Sequence, residues 1–179
     1  MNIIDTCIAD VKIIEPKVFG DERGFFLETF QAERYKNALN IEFDFVQDNH
    51  SRSGKGVLRG LHFQKSKPQG KLVRVVRGSV FDVAVDIRVD SPTFGRWAGV
   101  ELTEENKRQF WVPPGLAHGF VVTSELADFE YKCTDYYDPS DEGCLAWDDS
   151  EVAIDWPAID VFLSEKDKLG LSLKDLKSA

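Results

Sequence analysis

Val80-Phe81-Asp82-Val83-Ala84-Val85-Asp86-Ile87-Arg88 sets the period of this chain: Phe81, Val83, Val85 and Ile87 alternate with more polar neighbours. A period of two is the mark of a β-strand, because successive side chains point to opposite faces of a sheet. The same signature recurs on either side. Lys71–Arg77 is rich in β-forming residues and ends at Arg77-Gly78, a predicted hairpin turn. Gln109–Val112 and residues 119–123, 129–134 and 144–147 are further strand candidates, separated by turn signals at Ser91-Pro92, Pro113-Pro114-Gly115 and Asp138-Pro139. Only residues 31–39 and a piece after Ser164 read as helical. Many short strands at this spacing predict an all-β sandwich or barrel with few short helices. With no linker, repeat or low-complexity tract, residues 1–179 read as one domain.

Composition narrows the functions open to such a domain. At 179 residues and 42% hydrophobic, the chain can bury a sizeable core. A net charge of −9 opposes binding to nucleic acid or to a membrane surface. No stretch approaches the roughly 20 apolar residues that cross a bilayer. The first residues carry Asp5 and Asp10 and lack a basic start, so no signal peptide is expected. Cys7, Cys133 and Cys144 are odd in number and follow no metal-ligand spacing, which fits reduced thiols in a cytoplasm.

Charge is unevenly spread. Residues 49–81 contain no Asp or Glu, although the whole chain has 31 acids against 22 bases. The same window holds Arg52, Lys55, Arg59, Lys65, Lys67, Lys71, Arg74 and Arg77, with His50 and His62 among them. A cation cluster in an acidic protein points to a compact anion, and a histidine inside it adds a group that moves protons near neutral pH. His62, within Val57-Leu58-Arg59-Gly60-Leu61-His62-Phe63-Gln64, is the candidate base; a strand histidine bonded to backbone is the alternative. Lys71, after Gln69-Gly70, could stabilise an oxyanion or be a solvated strand-end lysine. Arg23 and Arg59 are candidate phosphate forks, or members of surface ion pairs.

Other candidates lie outside the window. His118 follows the Pro113-Pro114-Gly115 turn and so points from a defined edge. Tyr131 shares a face with Phe129 and Cys133, so a core role is open to it. Of the adjacent Tyr136 and Tyr137, one can face inward and the other can stack on a base. Ser164-Glu165-Lys166-Asp167 has the form of a helix capping box, which is the local reading of Asp167. Without a His-x-His pair, a metal centre is the weaker reading of the three histidines.

The ordered set of motifs resembles a known family. It comprises Asp21-Glu22-Arg23-Gly24-Phe25-Phe26, Val46-Gln47-Asp48-Asn49-His50-Ser51, residues 57–64, Gln69-Gly70-Lys71-Leu72-Val73-Arg74 and residues 81–88. It continues through Ser91-Pro92-Thr93-Phe94-Gly95, Glu105-Asn106-Lys107-Arg108-Gln109, Ala117-His118-Gly119-Phe120 and Leu163-Ser164-Glu165-Lys166-Asp167. Together these are similar to the dTDP-4-dehydrorhamnose 3,5-epimerases, cupin-fold enzymes of dTDP-L-rhamnose synthesis. The resemblance implies a cupin-type jelly roll and a cofactor-independent double epimerase acting on dTDP-4-dehydro-6-deoxy-D-glucose, with no metal. It implies His62 as base, Asp167 as its orienting partner, Tyr131 as acid and Lys71 as the group holding the enolate oxygen. Arg23, Glu28, Gln47, Asn49, Arg59, His118, Glu142 and Lys166 match positions contacting the nucleotide sugar, and Tyr137 the aromatic stacked on thymine. It further implies a homodimer that exchanges N-terminal strands. The alternatives are a mono-epimerase of the same fold, a non-catalytic nucleotide-sugar binding cupin and a metal-dependent cupin enzyme.

Overall fold

Alternating patterns of this kind become sheets that bury one face each, and this chain builds two that face each other. The computed structural model describes residues 1–178. In chain order the elements are β1 (Asn2–Asp5), β2 (Lys12–Glu15), β3 (Val18–Asp21), β4 (Gly24–Leu27), α1 (Ala32–Leu39), β5 (Gln47–Gly54), β6 (Leu58–Gln64) and β7 (Lys71–Arg77). They continue with β8 (Ser79–Asp86), β9 (Trp97–Thr103), β10 (Gln109–Val112), β11 (Leu116–Val122), β12 (Leu126–Cys133), β13 (Glu142–Cys144), a 3-10 turn (Asp167–Leu169) and α2 (Leu173–Ser178). One sheet runs β1-β2-β10-β7-β12-β5 and the other β13-β6-β11-β8-β9, with β3 and β4 forming a separate hairpin. The strands within each sheet pair antiparallel.

The core between the sheets takes Val73, Val75, Phe110 and Phe129 from the first and Val80, Ala84, Val100 and Phe120 from the second. On β8 this inverts the simplest reading of the alternation. Phe81, Val83, Val85 and Ile87 face outward into a second core, closed by Leu145, Val152, Trp156 and Leu173 of the C-terminal region. Asp82, on the other face, is fully buried. The turn after β7 also differs from expectation. β7 and β8 belong to different sheets, so Arg77-Gly78 is a corner between sheets rather than a hairpin. Gly78 has φ +75°, and a Cβ there would meet the Leu126 carbonyl oxygen at 2.0 Å, so only glycine turns this corner.

The outer face of the first sheet is sealed by α1. Gln31 accepts a hydrogen bond from the Arg34 N–H at 2.6 Å, and Asn40 closes the helix in the left-handed region. Tyr35 and Leu39, four residues apart and so on one helix face, pack with Ile14, Leu72 and Trp111. With both outer faces covered in part, the interior between the sheets is free to be polar at one end. The site lies there.

Candidate active site

Strand pairing brings the chemically active residues together. His62 on β6 is the register partner of His118 on β11 and of Cys144 on β13. On the facing sheet, Tyr131 on β12 is opposite Asn49, and Cys133 is opposite both Gln47 and Lys71. The two walls enclose a cavity of about 410 Å³ lined by His62, Arg59 and His118 from one sheet and by Lys71, Tyr131, Gln47 and Asn49 from the other. Tyr137, Glu142 and Lys166 line it as well. β6 and β11 run very close here: Gly60 has φ +122°, and a Cβ on it would meet the Gly119 Cα at 2.6 Å.

His62 is held from behind. Its Nε2–H donates to Asp167 Oδ1 at 2.6 Å, which fixes the tautomer and leaves Nδ1 able to accept a proton. Nδ1 lies 3.8 Å from Glu142 Oε1. The local reading of Asp167 holds in part, because its N–H donates to Ser164 Oγ at 3.2 Å as in a capping box. Its carboxylate, however, serves His62. Burial works to raise the Asp167 pKa, but the hydrogen bond and charge of His62 outweigh it and hold the carboxyl below its usual range.

Lys71 and Tyr131 have their own electrostatics. Burial lowers the Lys71 ammonium from its ordinary value, while Cys133, Asp82 and Glu142 oppose the shift. Burial raises the Tyr131 phenol, with Cys133 adding to it and Arg59 opposing, so the tyrosine keeps its proton at neutral pH. Glu142 would also rise on burial, but hydrogen bonds from Lys166 and from Tyr137 Oη, the latter at 2.7 Å, bring it below its usual range. Arg59 Nε donates to Ser53 Oγ at 3.0 Å, and Gln47 accepts from the Tyr137 N–H at 2.9 Å. Neither Tyr136 nor Tyr137 is on a strand; Tyr137 lines the cavity and Tyr136 faces solvent.

Two expected site residues are elsewhere. Arg23 sits at the turn of the β3–β4 hairpin and pairs with Asp21, with its side chain 85% exposed. Glu28 pairs with Arg34. Sequence reasoning missed Ser51, Gln64 and Gln69 in the cavity lining, and behind His118 it missed Asp82, which accepts from His118 Nε2–H at 2.8 Å and whose Oδ2 has no partner among the described residues. Burial raises its pKa against the pull of His118 and Lys71. The signal was available: an aspartate amid Val80, Phe81, Val83 and Ala84 has no solvent face to occupy.

A family model described as dTDP-4-dehydrorhamnose 3,5-epimerase matches residues 5–175. The chain belongs to this family. The dTDP-4-dehydrorhamnose 3,5-epimerase of Pseudomonas aeruginosa is 56% identical over 98% of this chain and 97% of its own. The crystal structure of dTDP-6-deoxy-D-glucose-3,5-epimerase from Legionella pneumophila Philadelphia 1, in complex with dTDP-4-keto-L-rhamnose, is 61% identical with a TM-score of 0.95, covering 97% of this chain and 93% of that one. A 3'-monoepimerase from Streptomyces bikiniensis shares the fold at a TM-score of 0.89 but is only 33% identical, over 95% of this chain and 87% of its own. The all-β architecture is thus the cupin-type fold of the 3,5-epimerases, and the chain is an isomerase of that family. No described helix is long and apolar enough to cross a membrane.

Proposed function

We propose that this chain inverts carbons 3 and 5 of dTDP-4-dehydro-6-deoxy-D-glucose, with His62 and Tyr131 acting across the cavity. The observation that carries this reading is their origin in opposite sheets: His62 on β6 and Tyr131 on β12, with Lys71 on the neighbouring strand β7, two register positions from Tyr131. Inversion needs a proton removed from one face and returned to the other. A carbon flanking a ketone is only weakly acidic, so the base needs help. His62 Nδ1 takes the proton, Asp167 steadies the imidazolium, and the Lys71 ammonium holds the enolate oxygen, a contact worth about 3–4 kcal/mol. The Tyr131 hydroxyl then protonates the opposite face. Because the ketone activates both neighbours, one base and one acid can serve each carbon in turn, and these steps use no cofactor or metal.

The remaining lining residues seat the nucleotide sugar. Gln47, Asn49, Arg59, His118, Glu142 and Lys166 contact it, and Tyr137, half-exposed at the rim, stacks on the thymine. Arg23 and Glu28 act from a second copy. Among the described residues the β3–β4 hairpin pairs only with itself; it exposes Phe19, Phe25 and Phe26 and is suited to lie over a partner's cavity in a homodimer. The free thiols of Cys7, Cys133 and Cys144 favour a cytoplasmic location.

Heavy water tests the reaction. Incubating the keto sugar with the protein in D₂O should place solvent deuterium at both carbons, read by NMR or mass spectrometry. Label at carbon 3 or carbon 5 alone would make the chain a mono-epimerase, and label at neither would sink the reading.

A further inference from the structure

Cys144 has no part in the proton transfers above, yet it stands beside the pair that drives them. β13 lies antiparallel to β6 with Cys144 directly opposite His62, and Asp167 reaches both from the 3-10 turn. A ring nitrogen of His62, the Cys144 sulfur and an Asp167 carboxylate oxygen all lie within 4.8 Å of one another. Cys144 Sγ makes a weak contact with the Leu145 carbonyl oxygen at 3.6 Å and accepts from the Leu61 backbone N–H. The three residues come from a strand, a second strand and a turn, so no local spacing betrays them.

We infer that His62, Cys144 and Asp167 form a site for a thiophilic divalent cation of the zinc class, and that filling it shuts the epimerase off. Imidazole, thiolate and carboxylate are the donors zinc prefers, with bonds of about 2.0–2.3 Å in a tetrahedron. Donor atoms in such a tetrahedron stand roughly 3.4 Å apart, by geometry from those bond lengths. His62 Nε2 and Asp167 Oδ1, now 2.6 Å apart, would separate by less than an ångström, and the sulfur would close in from within 4.8 Å. Sulfur in the set discriminates against magnesium and calcium, which favour oxygen. Asp167 is buried, and His62 and Cys144 are partly so, which limits competition from bulk water.

The protons balance. The metal takes the place of the hydrogen between His62 Nε2 and Asp167, the ring hydrogen passes to Nδ1 so that the imidazole stays neutral, and the Cys144 thiol loses its hydrogen, so one proton goes to solvent per cation bound. One thiolate and one carboxylate then match the dication. Inhibition rests on the proposed role of His62: coordination at Nε2 takes Asp167 from the imidazole and leaves the ring hydrogen on Nδ1, so Nδ1 no longer accepts a proton.

Cobalt(II) titrated into the full-length metal-free protein tests the site, because a thiolate ligand gives a sulfur-to-cobalt charge-transfer band in the near ultraviolet. The band should saturate at one equivalent, disappear in Cys144→Ser and Cys144→Ala, and persist in Cys7→Ser. Both Cys144 variants should keep wild-type turnover without metal, which certifies their fold. Zinc should stop deuterium incorporation by the wild type, and EDTA should restore it. Its midpoint should rise at least 10–100-fold in Cys144→Ser, since outer-sphere changes alone cost about that much affinity. Absence of the band, or its survival without Cys144, overturns the site. A band with turnover untouched by zinc upholds the site and overturns His62 as the base.

Discussion

Two histidine–aspartate pairs stand side by side in this molecule, and their environments differ more than their chemistry. His62 and His118 are register partners on neighbouring strands, bonded through Nε2 to Asp167 at 2.6 Å and to Asp82 at 2.8 Å. The His62 side chain is 29% exposed, while His118 is 7% and Asp82 fully buried. A base must meet its substrate and must carry a charge for an instant. The outer pair is placed for that, with Nδ1 3.8 Å from Glu142, which lines the same cavity, and a carboxylate whose ionised form is favoured. Of the inner pair, His118 lines the cavity while Asp82 lies buried behind it, holding His118 and opposing the burial shift of Lys71. On the mechanism proposed above, identical residue types thus divide into a working pair and a supporting pair through burial.

The largest expected effect separates the two histidines. His62→Asn should lower the turnover number by about 10²–10⁴-fold, the usual worth of a general base, with nucleotide-sugar affinity largely kept. His118→Asn should act mainly on affinity and lower the turnover number by less than about 10²-fold. Steady-state kinetics on both variants checks this. Equal losses of turnover number would abolish the distinction between the pairs.

The two carboxylates give the next contrast. Asp167→Asn weakens a hydrogen bond to a group that becomes charged, worth about 1.5–3 kcal/mol, so turnover should fall by roughly 10–10²-fold across its pH profile. Asp82→Asn should instead reshape that profile. Burial already lowers Lys71 and the charge of Asp82 opposes the shift, so without it the ammonium is lost at lower pH. The alkaline limb of the rate profile should move toward neutrality. An unmoved limb in Asp82→Asn would remove Asp82 from the support of Lys71.

How much of this was legible beforehand follows from where the information lies. The period of two in residues 80–88 is local, and β8 duly formed. Which face points inward is not local, because it depends on Leu145, Val152 and Leu173 arriving from the C-terminal region to cover the outer face. The same holds for Arg77-Gly78, where the turn was visible but its role as a corner between sheets was not. The acid-free window located His62, Arg59 and Lys71, all on two adjoining strands in sequence. Asp167 is 105 residues from His62, and its neighbours favour a cap, which the structure half grants. Only the ordered family motifs joined these distant positions. Asp82 escaped both routes, since its apolar neighbours drew attention to the opposite face of the strand.

The smallest effect is also the one with opposite signs in the two pairs. Asp167 has a folded pKa below its ordinary 3.8, so it contributes stability that is present above that value and lost as pH falls through the folded pKa. Asp82 has a folded pKa above 3.8, so its contribution is present below that value and lost as pH rises through the folded pKa. Relative to wild type, Asp167→Asn should therefore become less destabilising as pH falls below about 4, and Asp82→Asn less destabilising as pH rises above it. Urea unfolding of both variants and the wild type between about pH 3 and pH 8 reads the two slopes. Parallel slopes would mean that the buried pair is ionised as readily as the working pair, and that exposure to the cavity does not distinguish them.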